Sequence, residues 1–203
     1  MSNASIQTHY VTLDEYLAWE EKQEERYEFV DGVIRAMAGA SYSHNTIVVN
    51  LTRRTANYLD GKPCYVLTTS QKVRSESNTS VFYPDIGIHC GKPVLGKGNT
   101  LFNTVAIFEI LSPSTERYDR TKKFHHYQQI ETLREYFLVY QDAARIEAYR
   151  RTETGWEVAT YSVYVGLGAV LPLESVGISI PLTEIYENVE LEELADQAEQ
   201  EEE

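Results

Sequence analysis

Glu109 stands inside Thr104-Val-Ala-Ile-Phe-Glu-Ile-Leu111, a near-continuous apolar run. Runs of this kind belong to strands covered on both faces. An unpaired carboxylate there costs several kcal/mol unless a partner, a proton or a metal compensates it. Earlier in the chain, Tyr83-Pro84-Asp85-Ile86-Gly87-Ile88 places a second carboxylate at the mouth of another short apolar segment. Downstream, Asp119-Arg-Thr-Lys-Lys123 opens an expected helix with a cationic cluster. Two carboxylates at strand ends with a nearby lysine are the parts of a metal-dependent phosphodiester-cleaving site. Mg²⁺ or Mn²⁺ suits such oxygen donors, with Asp85, Glu109 and the backbone carbonyl of Ile110 as its protein ligands.

Each residue also has an ordinary structural reading. Asp85 can cap a turn after Pro84, and Glu109 can belong to a structural salt bridge. Lys123 lies four residues after Asp119, the spacing of an exposed helix pair. Glu28 alternates onto the strand face of Val30, opposite Tyr27 and Phe29, so it either faces a half-buried cleft or is a common strand glutamate. His44 shares helical register with Ile47, Val48 and Leu51, which fits a core or helix-terminal histidine as well as a substrate contact. Tyr127, one turn after Lys123, either lines the same cleft or packs. His125 and His126 are adjacent and point to different sides of a helix, so they make no paired metal site. No phosphate-binding glycine loop or serine–histidine–aspartate order stands in a convincing context.

The elements that must position these residues follow from pattern. Thr12-Leu-Asp-Glu15 fits a capping box before a helix with an apolar side. Tyr27–Val30 and 33–37 read as a hairpin around Asp31-Gly32, and 43–58 reads as a helix. Strands are expected at 64–69, 71–75, 81–89 and 104–111. Ser112-Pro-Ser-Thr-Glu116 supplies turn and cap chemistry before a helix near 116–130. A strand at 134–140, a hairpin of 144–150 with 156–164, and a last strand at 176–180 complete the pattern. Helices interleaved with strands argue for an α/β arrangement, a mixed sheet with helices on both faces.

Composition bounds the class. The 203 residues, 42% hydrophobic and 24% charged, suit one globular domain, expected over 9–190 with an acidic tail at 191–203. No run approaches the roughly 18 apolar residues of a membrane span, and the polar N-terminus lacks a signal-peptide pattern. Cys64 and Cys90 have no metal-site or disulfide-framework spacing, so reduced thiols and a cytoplasmic protein are expected. The net charge is −13, but ten of the 31 acidic residues fall in 183–203, which holds no Lys or Arg. That leaves 21 acidic against 18 basic residues in the body, and 183–203 reads as a solvated or frayed appendage.

The order Tyr27-Glu-Phe-Val-Asp-Gly32, Ser43-His44, Tyr83-Pro-Asp85, Phe108-Glu-Ile-Leu-Ser-Pro-Ser-Thr115, Tyr118-Asp-Arg-Thr-Lys-Lys123 and Arg134-Glu-Tyr136 resembles the Uma-type endonuclease family. That family belongs to the PD-(D/E)XK restriction-endonuclease-like superfamily, and the resemblance spans roughly residues 9–190. It implies a central mixed sheet flanked by helices, a divalent metal on the strand carboxylates, and DNA as substrate. The superfamily's usual lysine falls two residues after the glutamate, where this chain has Leu111. The resemblance implies that Lys123 takes that role, with Glu28 in the metal shell.

The leading expectation is therefore metal-dependent DNA hydrolysis by Asp85, Glu109, Lys123 and Glu28. His44, Arg120, Lys122 and Tyr127 would contact substrate, and Arg53, Arg54, Lys72, Arg74 and Arg117 are further candidate phosphate contacts. Two rivals stay open: a catalytically silent nuclease-fold binding module, favoured by the displaced lysine, and a phosphoesterase acting on nucleotides or small phosphates. A two-fold dimer is expected through the aromatic hairpin of Tyr149, Trp156, Tyr161 and Tyr164.

Overall fold

The computed structural model describes residues 11–37, 39–75 and 80–192, and of 157–160 only the backbone. Helix α1 (Leu13–Glu20) starts from Thr12, whose side chain and that of Glu15 close the expected capping box. Strands β1 (Tyr27–Val30) and β2 (Val33–Ala36) pair antiparallel. Asp31 and Gly32, at φ 52° and 83°, make the left-handed turn that short hairpins favour. Helix α2 (Tyr42–Tyr58) is capped by the Ser41 side chain.

The central sheet follows. Strands β3 (Cys64–Thr68), β4 (Ile86–Cys90), β5 (Thr104–Leu111), β6 (Glu135–Tyr140), β7 (Arg145–Thr152) and β8 (Gly155–Val165) lie in sequence order. All neighbours are antiparallel except β5 and β6. A parallel pair needs a crossover. Here it contains α3 (Glu116–Tyr118), a π turn over Asp119–Lys123 and α4 (Phe124–Tyr127). A second hairpin of β9 (Val170–Leu173) and β10 (Ile178–Pro181) leads into α5 (Leu182–Ile185).

The period of two along β5 divides the core. Ala106, Phe108 and Ile110 face one side, with Ile47 and Leu51 of α2 and Leu171, Ile180 and Leu182. Ile107 and Leu111 face the other, with Val30, Phe82, Tyr127 and Tyr136. Glu109 alternates onto this second side, so the crossover and the β1–β2 hairpin cover it. In a third cluster, Tyr16 and Leu17 of α1 pack on Phe29 and Val81.

Several expectations are corrected. The segment 71–75 is no strand; Val73 alone bridges to Phe82 and Leu101. The strand expected at 81–89 begins only at Ile86, after Pro84, which lacks an amide donor for a ladder. The helix near 116–130 is three short pieces. Strand β9 was hidden by Gly166, Gly168 and Pro172, which break the apolar pattern. Cys64 and Cys90 form a disulfide, S–S 2.00 Å, where reduced thiols were expected. They stand opposite each other on β3 and β4, a proximity that a separation of 26 residues conceals. The acidic segment does not fray at 183: Glu184 and Glu187 pair with Arg54, and Glu187 also with Arg53. Of the tail expected at 191–203, residues 193–203 lie outside the described residues. Among the described residues no helix is long and apolar enough to cross a membrane.

Candidate functional site

Three carboxylates converge on one ammonium beneath the crossover. Lys123 Nζ lies 3.0 Å from Glu28 Oε1, 3.0 Å from Glu109 Oε1 and 3.7 Å from Asp119 Oδ1. All four residues are buried. Each arrives from a different local logic. Glu28 follows the β1 alternation inward with Val30, and Glu109 does the same on β5. Asp119 and Lys123 bound the π turn, and Tyr127 follows four residues later, so the inner side of the crossover presents all three. A π turn is uncommon and recurs at functional positions. Its placement is anchored by Tyr136, whose hydroxyl donates to the Asp119 carbonyl at 3.0 Å.

The surrounding groups fix these carboxylates. The Tyr127 hydroxyl donates to Glu109 Oε1 at 2.8 Å, and the Tyr83 amide donates to Glu28 Oε1 at 3.4 Å. Asp85, just ahead of β4, reaches across to β5 and accepts the Ile110 amide at 2.8 Å. His44 Nε2 lies 3.2 Å from the same Asp85 oxygen, and among the described residues the buried His44 Nδ1 has no hydrogen-bond partner.

Electrostatics express the imbalance. Burial pushes the Glu109 carboxyl well above its ordinary range, and Lys123 only partly opposes this. Burial likewise raises Asp119 to about 6, again against Lys123. Burial disfavours the Lys123 charge too, but Glu109, Glu28 and Asp119 together hold its proton well above the lysine range. One ammonium cannot neutralise three buried carboxylates, so the cluster calls for another cation or a proton. Hard oxygen donors with surplus negative charge fit a divalent ion such as Mg²⁺. Lys123 stands where the carboxylates converge, and among the described residues no three acidic, histidine or cysteine side chains already form a metal cage.

The basic residues sort less uniformly. Arg120 was expected to contact substrate, but it pairs with buried Glu147 and with Glu116 and is occupied internally. Lys72 is buried against Glu20 at 2.7 Å, Arg53 and Arg54 hold the Glu184–Glu187 segment, and Arg74 lies over the Phe102 ring. Only Lys122 and Arg117 of that set are exposed on the crossover, because the other side chains find acidic or aromatic partners distant in sequence. Of the hairpin aromatics, Tyr149 and Trp156 pack against Phe124 and Tyr164 joins the α2-side core, so Tyr161 is the one still exposed.

Two contributors escaped the sequence reading. The four-residue spacing makes Asp119 an exposed partner of Lys123, but it is buried instead. Arg35, opposite Glu28 on β2, lies 4.9 Å from the Tyr118 ring centroid and carries exposed positive charge beside the cluster. The Asp31-Gly32 turn could have flagged it, since a two-residue loop sets Glu28 against Arg35.

Known proteins resemble this chain in sequence and in fold. An uncharacterised protein of Synechocystis is 33% identical over 174 residues, 85% of this chain and 90% of its own. A second Synechocystis protein, also uncharacterised, is 32% identical over 146 residues, 71% of this chain and 82% of its own. A crystal structure titled as a putative nuclease of the DUF820 group, from Anabaena variabilis, superposes with a TM-score of 0.70 over 87% of this chain and 97% of that one. At 17% identity that likeness speaks for the fold, a mixed sheet flanked by helices. Residues 13–183 match the family Uma2, described as "Putative restriction endonuclease". A match over that span makes this chain a member of the Uma2 restriction-endonuclease-like family.

Proposed function

We propose that the chain is a metal-dependent endonuclease that hydrolyses DNA phosphodiester bonds. The observation that carries the reading is the surplus of buried carboxylate around Lys123, near the end of a strand that is apolar from Val105 to Leu111 apart from Glu109. Asp85 and Glu109, with the Ile110 carbonyl, would hold Mg²⁺ or Mn²⁺. Such an ion polarises a phosphate and lowers the pKa of a bound water.

The protein's own groups have distinct parts. Lys123 keeps its proton at neutral pH, so it offers a hydrogen-bond donor and positive charge to a water or phosphate oxygen and is not a base. Tyr127 fixes the Glu109 carboxylate by donating to it. The Ile110 amide and His44 fix Asp85, and Glu28 balances Lys123 from the hairpin side. Arg35, Arg117 and Lys122 remain to meet the phosphate backbone.

A second reading has its own support. Lys123 already engages the carboxylates and no cage is preformed among the described residues, as suits a nuclease fold kept only for binding. One experiment separates the two. Mn²⁺ or Mg²⁺ is expected to raise the melting temperature, because a ligand that binds the folded state stabilises it, and to switch on DNA cleavage. Glu109→Ala should lose both effects. Neither effect in the unmodified protein leaves the silent module, and cleavage only of nucleotides or small phosphates in a mixed panel moves the substrate class.

A further inference from the structure

The sheet has two edges, and they are defended unequally. Strand β3 is five residues long and is tied to its neighbour by the Cys64–Cys90 disulfide. Strand β8 runs eleven residues, and among the described residues no strand pairs with its outer side. Long open edges invite pairing with another chain, and monomers blunt them with charge, proline or very short strands. Residues 158–173 contain no Asp, Glu, Lys or Arg. Tyr161, Val163 and Val165 alternate outward at 37, 39 and 52% exposure, and Leu167 at 45% continues the apolar surface.

We infer that β8 pairs antiparallel with β8 of a second copy of this chain, around a two-fold axis near Val163. A strand edge is completed by another strand's amides and carbonyls, and antiparallel self-pairing supplies them with the same patch on both copies. Charge selects the occupant. Both copies carry the same net charge of −13, concentrated in 183–203, and an edge without charged residues lets them meet without facing like charges. The product is one twelve-stranded sheet, twice the six strands of each copy. Seven steps of about 4.8 Å then separate the two β5 strands by roughly 34 Å. Sheet twist of about 20–25° per step turns the two Glu109 clusters away from each other. This arrangement stands apart from the nuclease reading, and its test needs no activity.

The test is sedimentation of the full chain at tens of micromolar. A dimer is expected for the unmodified protein and for Val163→Thr, which keeps a β-favouring shape. Val163→Lys should sediment as a monomer with an unchanged circular-dichroism spectrum. Val49→Lys, on the exposed side of α2 at 62% exposure, should stay dimeric. A monomeric unmodified protein overturns the inference, as does a Val163→Lys protein that remains dimeric. Dissociation by Val49→Lys would place the interface on α2 and overturn it equally. If Val163→Lys fails to fold, a disulfide-linked dimer formed by Val163→Cys supports the pairing, and its absence under oxidation rejects it.

Discussion

Two buried glutamates share one sheet face and one row across the ladder. Glu109 on β5 pairs with Leu138 on β6, which pairs with Glu147 on β7. Their surroundings differ in charge count. Glu147 receives Arg120, Arg145 at 3.0 Å and the Tyr140 hydroxyl at 2.8 Å. Burial works against its charge, but Arg120 and Tyr140 bring its carboxyl below the ordinary range. Glu109 shares a single ammonium with Glu28 and Asp119 and is pushed the other way. Burial alone therefore does not mark a site. Two guanidiniums on one carboxylate make a closed structural network, whereas three carboxylates on one ammonium leave a demand that a metal or proton must meet.

The sharpest way to break this contrast is to remove each cluster's cation or its carboxylate. Lys123→Ala leaves three buried carboxylates unpaired and should destabilise the metal-free protein by about 3–5 kcal/mol, read by denaturant unfolding. Added Mn²⁺ should restore part of the loss. In cleavage assays with metal, the same variant should be slower by roughly 10²–10³-fold, the usual scale for removing a positioned donor. An unaltered rate would remove Lys123 from the site.

Glu147→Ala comes next. It strands Arg120 and Arg145, which keep some contact with water, so the expected loss is about 2–3 kcal/mol, with the metal response intact. Glu109→Gln should behave oppositely: stability within about 1 kcal/mol of the parent and no metal response. If both variants responded alike to metal and to denaturant, the distinction between the clusters would collapse.

A smaller effect follows from pH. Asp119 is raised from 3.8 to about 6 in the folded protein, so folding favours its protonated form. That contribution is full below about pH 4 and is lost as the pH rises through about 6, amounting to about 2–3 kcal/mol at 1.36 kcal/mol per unit. Subtracting the metal-free Asp119→Asn stability profile from that of the parent should give a curve falling across this window. A flat difference would mean that Asp119 is not held protonated. The smallest expected effect is that of Lys122→Ala, a few-fold weakening of DNA binding that fades with added salt.

Legibility in the sequence followed the range of the interaction. The α1 capping box, the Asp31-Gly32 hairpin and α2 were readable because their causes lie within a few residues. Glu109 was readable because one charge in an apolar run is a local contradiction. The π turn was not, since Asp119–Lys123 carries neither the glycine nor the proline that usually announces an irregular helix. Arg120 looked like a phosphate contact because its partner Glu147 lies 27 residues away, and the cysteine pairing was hidden for the same reason.

By itself, the sequence determined that a carboxylate would be buried on β5, since the apolar period and run length decide which positions leave water. It also determined the kinds of groups available to answer that charge. Only the tertiary structure decided which groups do so. The β5–β6 crossover brings Lys123 and Asp119 over Glu109, β1 brings Glu28, and the β6–β7 register sends Arg120 to Glu147 instead. The physical reason is that hydrophobic patterning is a local property of the chain. Charge balance depends on which distant side chains come within about 4 Å of one another, a distance over which burial greatly strengthens their interaction.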